Sequence, residues 1–598
     1  MRTRAVALFA ILAVLLSACV GLRKDESGAD GPRKGCAVVD VASSPEKFEL
    51  LTNLAADFNK TQSEVLEDKC AFVKIAKKSS GTAAQQLADG WQETEANGPR
   101  PTIWSPSASS WGAVVNQRLS ERNQGAIVPA GARSFMLTPL IFAMPKPMAT
   151  ALGWPRTPIG FADLLALARD PKGWAGKGHP EWGAFKLGKT NPNFSTSALS
   201  ATVAQYYAAT GKQRDLTLED LNRPEVDAFN RDVESAVVHY GDITLTFLNN
   251  WFRNDVRGTA LTYVSAVAVE EKSLIDYNRG NPDGITDPGE QPKPPRVPLV
   301  AIYPKEGTLF SDNPVFILDA PWVTARQKTG ARAFEAFVQR PENQRKVLSF
   351  GFRPGNPAVA IGAPIDPANG VDPAQPQTTL RVPSPEVLVR IIDKWGQLRK
   401  AARVLLVIDV SGSMGDDAGN GETKLELAKR AAIDALGQFK PEDEVGLRIF
   451  STNLSSKEPK DYIDLVPVGP IGSQREALAS KISDLIPTEG TPLYTVARTS
   501  YDDMKGKYDP TRINAVLLLT DGKNEDPRNS DLEGTLRSLR AGSEGLSSTP
   551  VRLFTIAYGG GADLGILRRL AEATNAAAYD ASDPETIAKV FTAVVSNF

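Results

Sequence analysis

The chain reads as an α/β protein of two successive units, residues 36–355 and 401–598, joined by a linker and a helix at 356–400. Three observations carry this. Its 598 residues exceed what one core supports. Short β-branched apolar runs alternate with amphipathic stretches throughout, the pattern of parallel or mixed sheets covered on both faces. The longest uninterrupted apolar run, near the amino terminus, is too short to span a bilayer stably. Lys plus Arg is 68 and Asp plus Glu is 70, so no global basic field for nucleic acid exists. His179 and His239, the two histidines, are far apart, which argues against a zinc centre or histidine-based catalysis.

The first elements are an address. Arg2 and Arg4 precede the apolar run Ala5–Leu16, a signal-peptide pattern over residues 1–18. Leu16-Ser17-Ala18-Cys19 then resembles a bacterial lipobox, which implies cleavage before Cys19 and lipid on its thiol and new amino group. An ordinary secretory peptide with a stray cysteine is the alternative. Residues 19–35 are polar and glycine-rich, a flexible tether. The mature chain is therefore expected on the outer face of the cell membrane, held by lipid.

Cys36 opens one strand (Ala37–Val41) and Cys70 another (Ala71–Ile75). Between them Phe48, Leu51, Leu54, Ala55 and Phe58 share a helical face, with Ser44 as cap and Pro45 in the first turn. Such a strand–helix–strand unit puts both cysteines at one end of adjacent parallel strands, so an oxidising compartment favours a disulfide over two free thiols. Further strands are expected at Leu137–Met144, Leu261–Ser265 and Leu299–Tyr303, and helices at Phe161–Arg169, Pro224–Val238 and Ala331–Arg340.

The lipobox, the Val41–Lys47 turn, Trp104-Ser105-Pro106, Asn191–Ser195 and Tyr303–Thr308 together resemble the bacterial extracellular solute-binding proteins that serve ABC importers. The resemblance implies a two-lobed periplasmic-binding-protein-like domain, with lobe one at 36–138 plus 300–355 and lobe two at 139–299. Ser43, Ser44, Ser107, Ser109, Asn191, Ser195 and Tyr263 are then the expected ligand contacts. The serines are equally ordinary helix caps, and the sequence does not name the solute. Asp276, Asn278, Asp283, Gly284 and Glu290 follow the order of an EF-hand loop, but the Asn278–Asp283 gap is too long, and Pro282 and Pro288 suit a plain surface turn.

Residues 356–383 are rich in proline and alanine, an extended connector. Val387, Leu388, Ile391, Ile392, Trp395 and Leu398 then lie on one face of an amphipathic helix. Beyond it Val404–Ile408 has the β-branched content of a strand buried on both faces, ending in Asp409 with Ser411 and Ser413 following. Ala515–Leu519 likewise ends in Thr520-Asp521-Gly522, and Thr491 sits in a turn just before a helix. In a doubly wound, Rossmann-like sheet these groups meet at the carboxyl ends of the strands.

Asp409-x-Ser411-x-Ser413, Thr491 and Asp521 resemble the von Willebrand factor A domain (VWA) and its metal-ion-dependent adhesion site. Glu489-Gly490 stands where that family often has two glycines. The resemblance implies Mg²⁺, or Mn²⁺, and a protein partner whose acidic side chain completes the metal's shell. Two carboxylates and three hydroxyls suit such a hard cation. No nucleophile–base pair is visible, so binding rather than catalysis is expected. The alternative is a substrate receptor of an ABC importer with the VWA domain as an assembly module.

Overall fold

The computed structural model describes residues 32, 35–61, 70–93, 97–284, 291–419, 421–458, 461–595 and 597–598. The signal peptide, Cys19 and Glu290 lie outside them.

The first sheet has Ala37–Ser43 at its centre, with Ala71–Lys77 and Ile103–Ser105 parallel on either side and Phe316–Ile317 antiparallel at the edge. Ala37 stands opposite Ala71, so Cys36 and Cys70 meet at the strand starts and form a disulfide. Helix Phe48–Thr61 covers one face with Leu50, Leu51, Leu54, Ala55 and Phe58, and Phe58 meets Phe334 and Phe337 edge-on at 5.3 and 5.5 Å.

The second sheet runs Arg353–Pro354, Met136–Pro145, Ala266–Glu270, Leu187–Thr190, Val237–Gly241, with Leu299–Ile302 and Phe310–Ser311 also pairing with Met136–Pro145. Two expectations change here. Val300–Ile302, expected in lobe one, pair antiparallel with Phe142–Met144 of the second sheet. Leu261–Ser265 is not a strand: Ala260–Tyr263 is a helical turn, and the strand starts at Ala266. A short run such as Leu-Thr-Tyr-Val-Ser does not by itself distinguish the two. The connector is also less free than expected, since Ile365 and Val371 are buried against lobe two and the Gly370 carbonyl accepts from Ala301.

The third sheet has the order Tyr462–Pro470, Glu444–Phe450, Ala401–Asp409, Arg512–Thr520, Arg552–Tyr558, Ala578–Ala581, parallel except at the first edge. Ala401–Asp409 is first in sequence and central in space, so the chain reverses direction of winding beside it, where such sheets form a crevice.

Helix Pro385–Leu398 joins the two halves. Lys394 pairs with Asp227 at 2.7 Å and Trp395 donates to Glu234 at 3.2 Å, while Arg399, just past its end, pairs with Asp443 at 2.5 Å. A second contact is polar and buried. Arg552 of the third sheet donates to Glu544 at 2.6 Å, to Tyr263 of lobe two at 3.1 Å and to the His239 ring. Asn575, held at φ 58°, presents its carbonyl groups to Asn250 and Asn254. Burial, then the Arg552 charge, pushes His239 down to about 4. The geometry fits a neutral ring whose Nδ1–H donates to Glu544 at 3.1 Å while Nε2 accepts from Arg552 at 3.0 Å. Burial opposes it, yet the His239 ring and Arg552 hold Glu544 below the usual carboxylate range.

Removing one partner of a buried ion pair strands the other. Arg552→Met is expected to lower unfolding stability by about 3–5 kcal/mol in denaturant titration, and adding Glu544→Gln to recover most of that loss. His239 gives a pH signature. Its folded pKa lies below the unfolded value of about 6.5, so its contribution is complete above that pH and fades as pH falls toward 4. The wild-type melting temperature should drop across that window, and His239→Gln should flatten the drop.

Candidate metal centre and the interlobe cleft

Asp409 ends the central strand, fully buried (0% exposed). Its Oδ1 accepts from the Ser411 amide at 2.7 Å and its Oδ2 from the Thr520 hydroxyl at 2.5 Å. Burial pushes its pKa up to about 7 against those hydrogen bonds. Ser411 then leads into the 3-10 turn Gly412–Gly415, with Ser411 Oγ and Ser413 Oγ 3.2 Å apart. Ser413 donates to Asp521 Oδ1 at 2.7 Å. Asp409, Ser411, Ser413 and Asp521 thus form one continuous hydrogen-bonded run.

Thr491 arrives by a separate route. The Thr488 amide donates to the Val410 carbonyl at 2.7 Å, and the Gly412 amide to the Glu489 carbonyl at 2.6 Å. Thr491 itself is buried, with its amide on Glu525 Oε2 at 3.2 Å. Its hydroxyl lies where Gly522 lacks a side chain: a Cβ there would sit 2.6 Å from Thr491 Oγ1. All five expected residues therefore converge, and the open side is at Gly412 and Ser413, which are exposed and half-buried.

Two residues escaped the sequence reading. Thr520 orients Asp409, and its place beside Asp521 at a strand end was the available signal. Lys424, the first residue of helix Lys424–Leu436, donates to Asp521 Oδ2 at 2.7 Å, and no spacing in the sequence announced it. Among the described residues no cluster of three or more His, Cys, Asp or Glu forms a metal site. Here the donors are two carboxylates and three hydroxyls, an all-oxygen set that suits hard divalent cations rather than zinc or copper.

The solute-contact candidates divide. Ser107 donates to Ser44 at 2.9 Å, and its amide to Ser80 at 3.0 Å. Ser43 donates to the Ser44 carbonyl, and the Ser109 amide to Asp312 at 2.6 Å. Neither Ser44 nor Ser109 makes a side-chain cap bond. Across the cleft Ser195 joins Thr190, Ser197 and Thr244 in a buried hydroxyl cluster, and Asn191 braces Asn193. The lobes touch through the Gly81 amide on the Phe194 carbonyl at 3.1 Å and Trp111 on Thr196 at 2.9 Å. Tyr263 is instead engaged by Arg552 at the contact with the third sheet. Beside the lobe contact lies a cavity of about 830 Å³ walled by Lys78, Trp91 and Phe194, and by Tyr579 and Lys589 from the carboxyl-terminal unit.

Of the EF-hand-like set, Glu290 lies outside the described residues, and the first two members are engaged elsewhere. Asp276 and Asn278 lie in helix Glu271–Asn278, where Asp276 pairs with Lys272, and the Asn278 amide bonds the backbone of Leu299 and Asn369.

Residues 39–353 match the family described as bacterial extracellular solute-binding protein, and residues 404–593 match the von Willebrand factor type A domain. Two uncharacterized proteins from two strains of Mycobacterium tuberculosis are each 24% identical over 506 residues, covering 82% of this chain and 67% of theirs. Among solved structures, a periplasmic binding protein of Actinobacillus pleuropneumoniae with bound fructose-6-phosphate is 16% identical, covering 62% of this chain and 100% of that one, with a TM-score of 0.39. A von Willebrand factor type A protein of Catenulispora acidiphila is 20% identical, covering 33% of this chain and 42% of that one, with a TM-score of 0.27. The chain thus belongs to the bacterial extracellular solute-binding protein family and carries a von Willebrand factor type A domain after it.

Proposed function

We propose that this chain is a lipid-anchored, extracytoplasmic binding protein. Its VWA domain uses Mg²⁺ or Mn²⁺ to hold a protein partner through an acidic side chain, and its solute-binding domain takes a small solute. The observation that carries this is the run Asp409–Ser411–Ser413–Asp521 with Thr491 over Gly522, five oxygen donors at one strand-end crevice that opens at Ser413. These five would hold the cation, which when bound supplies an electron-poor centre for an incoming carboxylate. The rest of the work is the chain's own. Thr520 and the Ser411 amide fix the Asp409 carboxylate, and Ser413 fixes that of Asp521. The turn 488–491, pinned to Val410 and Gly412, keeps Thr491 in place.

A second reading is favoured by the cavity of about 830 Å³ with walls from both halves. In it the chain is a substrate receptor of an importer, and the VWA domain assembles it with other components.

A thermal-shift titration with Mg²⁺ and Mn²⁺ against EDTA tests the metal centre. Wild type should be stabilised by metal, by about 2.7 kcal/mol at a hundredfold excess over Kd. Asp409→Ala should abolish that gain. Gly522→Ala should weaken it at least tenfold in apparent Kd by pushing Thr491 aside, while both variants keep a cooperative transition in EDTA (about 1.4 kcal/mol per tenfold). A metal response surviving in Asp409→Ala rejects the site. Anchoring has its own test: Cys19→Ala should move the expressed chain from the membrane fraction to the soluble extracytoplasmic fraction.

A further inference from the structure

Lys424 sits inside the candidate metal centre, yet an oxygen-ligand site has no use for an ammonium as a donor. The helix that begins with it is fixed by a reciprocal cap, Thr423 with Glu426. Its own carbonyl accepts from Tyr558 at 2.9 Å, which ties the helix start to the end of strand Arg552–Tyr558. Its aliphatic stem passes Gly559, where a Cβ would lie 3.3 Å from Cε and 3.5 Å from Cδ. The stem is thus steered across a surface that a larger residue would obstruct. Only 14% of the side chain is exposed. At the far end Nζ donates to Asp521 Oδ2 at 2.7 Å and to the Ser413 carbonyl at 3.2 Å, and Asp416 Oδ2 lies 3.6 Å away.

Both oxygens of Asp521 are therefore engaged, Oδ1 by Ser413 and Oδ2 by Lys424. A lysine held this way cancels one of the centre's two carboxylate charges and repels any other cation nearby. Charges a few ångströms apart in a partly buried setting interact strongly and are little screened by salt.

We propose that Lys424 is a built-in counter-ion of Asp521 that competes with the divalent cation and sets the affinity of the centre. Metal loading then requires the ammonium to withdraw from Asp521 or to stay close at an electrostatic penalty. In either case the ammonium weakens cation binding at the centre. This rests on the metal-centre reading above.

The test is Mn²⁺ binding to the full ectodomain by calorimetry and by electron paramagnetic resonance, comparing wild type, Lys424→Met and Lys424→Arg. Lys424→Met should bind Mn²⁺ at least about tenfold more tightly than wild type. Lys424→Arg, which keeps the charge, should stay near wild type. Melting in EDTA checks folding, and Lys424→Gln replaces the methionine variant if that one is unfolded. If wild type binds and the neutral variants bind no more tightly, the counter-ion role is overturned and the metal centre stands. If neither wild type nor the neutral variants bind Mn²⁺, the metal centre and the counter-ion role fall together. Binding in the neutral variants alone would support the counter-ion role and reject the proposed use of metal by the wild-type chain.

Discussion

The carboxyl-terminal domain is organised around the difficulty of keeping two carboxylates, Asp409 and Asp521, at the dry end of a sheet buried on both faces. A carboxylate removed from water needs hydrogen bonds or a cation to persist as an anion. Four groups at the crevice supply one or the other: the Thr520 hydroxyl, the Ser411 amide, the Ser413 hydroxyl and the Lys424 ammonium. The central position of Ala401–Asp409 is what makes this possible, because its neighbours Glu444–Phe450 and Arg512–Thr520 end level with it and bring their own turns to the same place.

Much of this was legible in the sequence, and the reason is locality. Apolar runs ending in Asp409 and Asp521 announce strand ends, and a serine-rich turn after such a run announces oxygen donors near it. The parallel placement of Cys36 and Cys70 followed from one strand–helix–strand unit. What stayed hidden depends on contacts between residues distant in sequence. Lys424 reaches Asp521 from a helix start that is tied to Tyr558, more than a hundred residues on. Val300–Ile302 joins the second sheet by pairing with Phe142–Met144, a strand far earlier in the chain. Tyr263 was an expected ligand contact as a hydroxyl near a strand end. Its actual partner, Arg552, belongs to another domain, which no pattern within lobe two could reveal.

The contact between the halves has an unusual chemistry. A hydrophobic seam would tolerate sliding, whereas Arg552, Glu544, His239 and Tyr263 form a directional set in which each group has a named partner. Buried polar sets of this kind specify one arrangement, since most others would leave a charge unpaired. Asn575 adds to the effect, because its left-handed backbone aims its carbonyl groups at two asparagines of lobe two. The VWA domain is therefore held in register with lobe two.

That register bears on the cavity beside the lobe contact, one wall of which is Tyr579 and Lys589. An occupant touching that wall would feel lobe one, lobe two and the VWA domain together. Thermodynamic reciprocity then applies: any free energy by which such an occupant tightens the docking of the VWA domain is returned in full as tighter retention of the occupant.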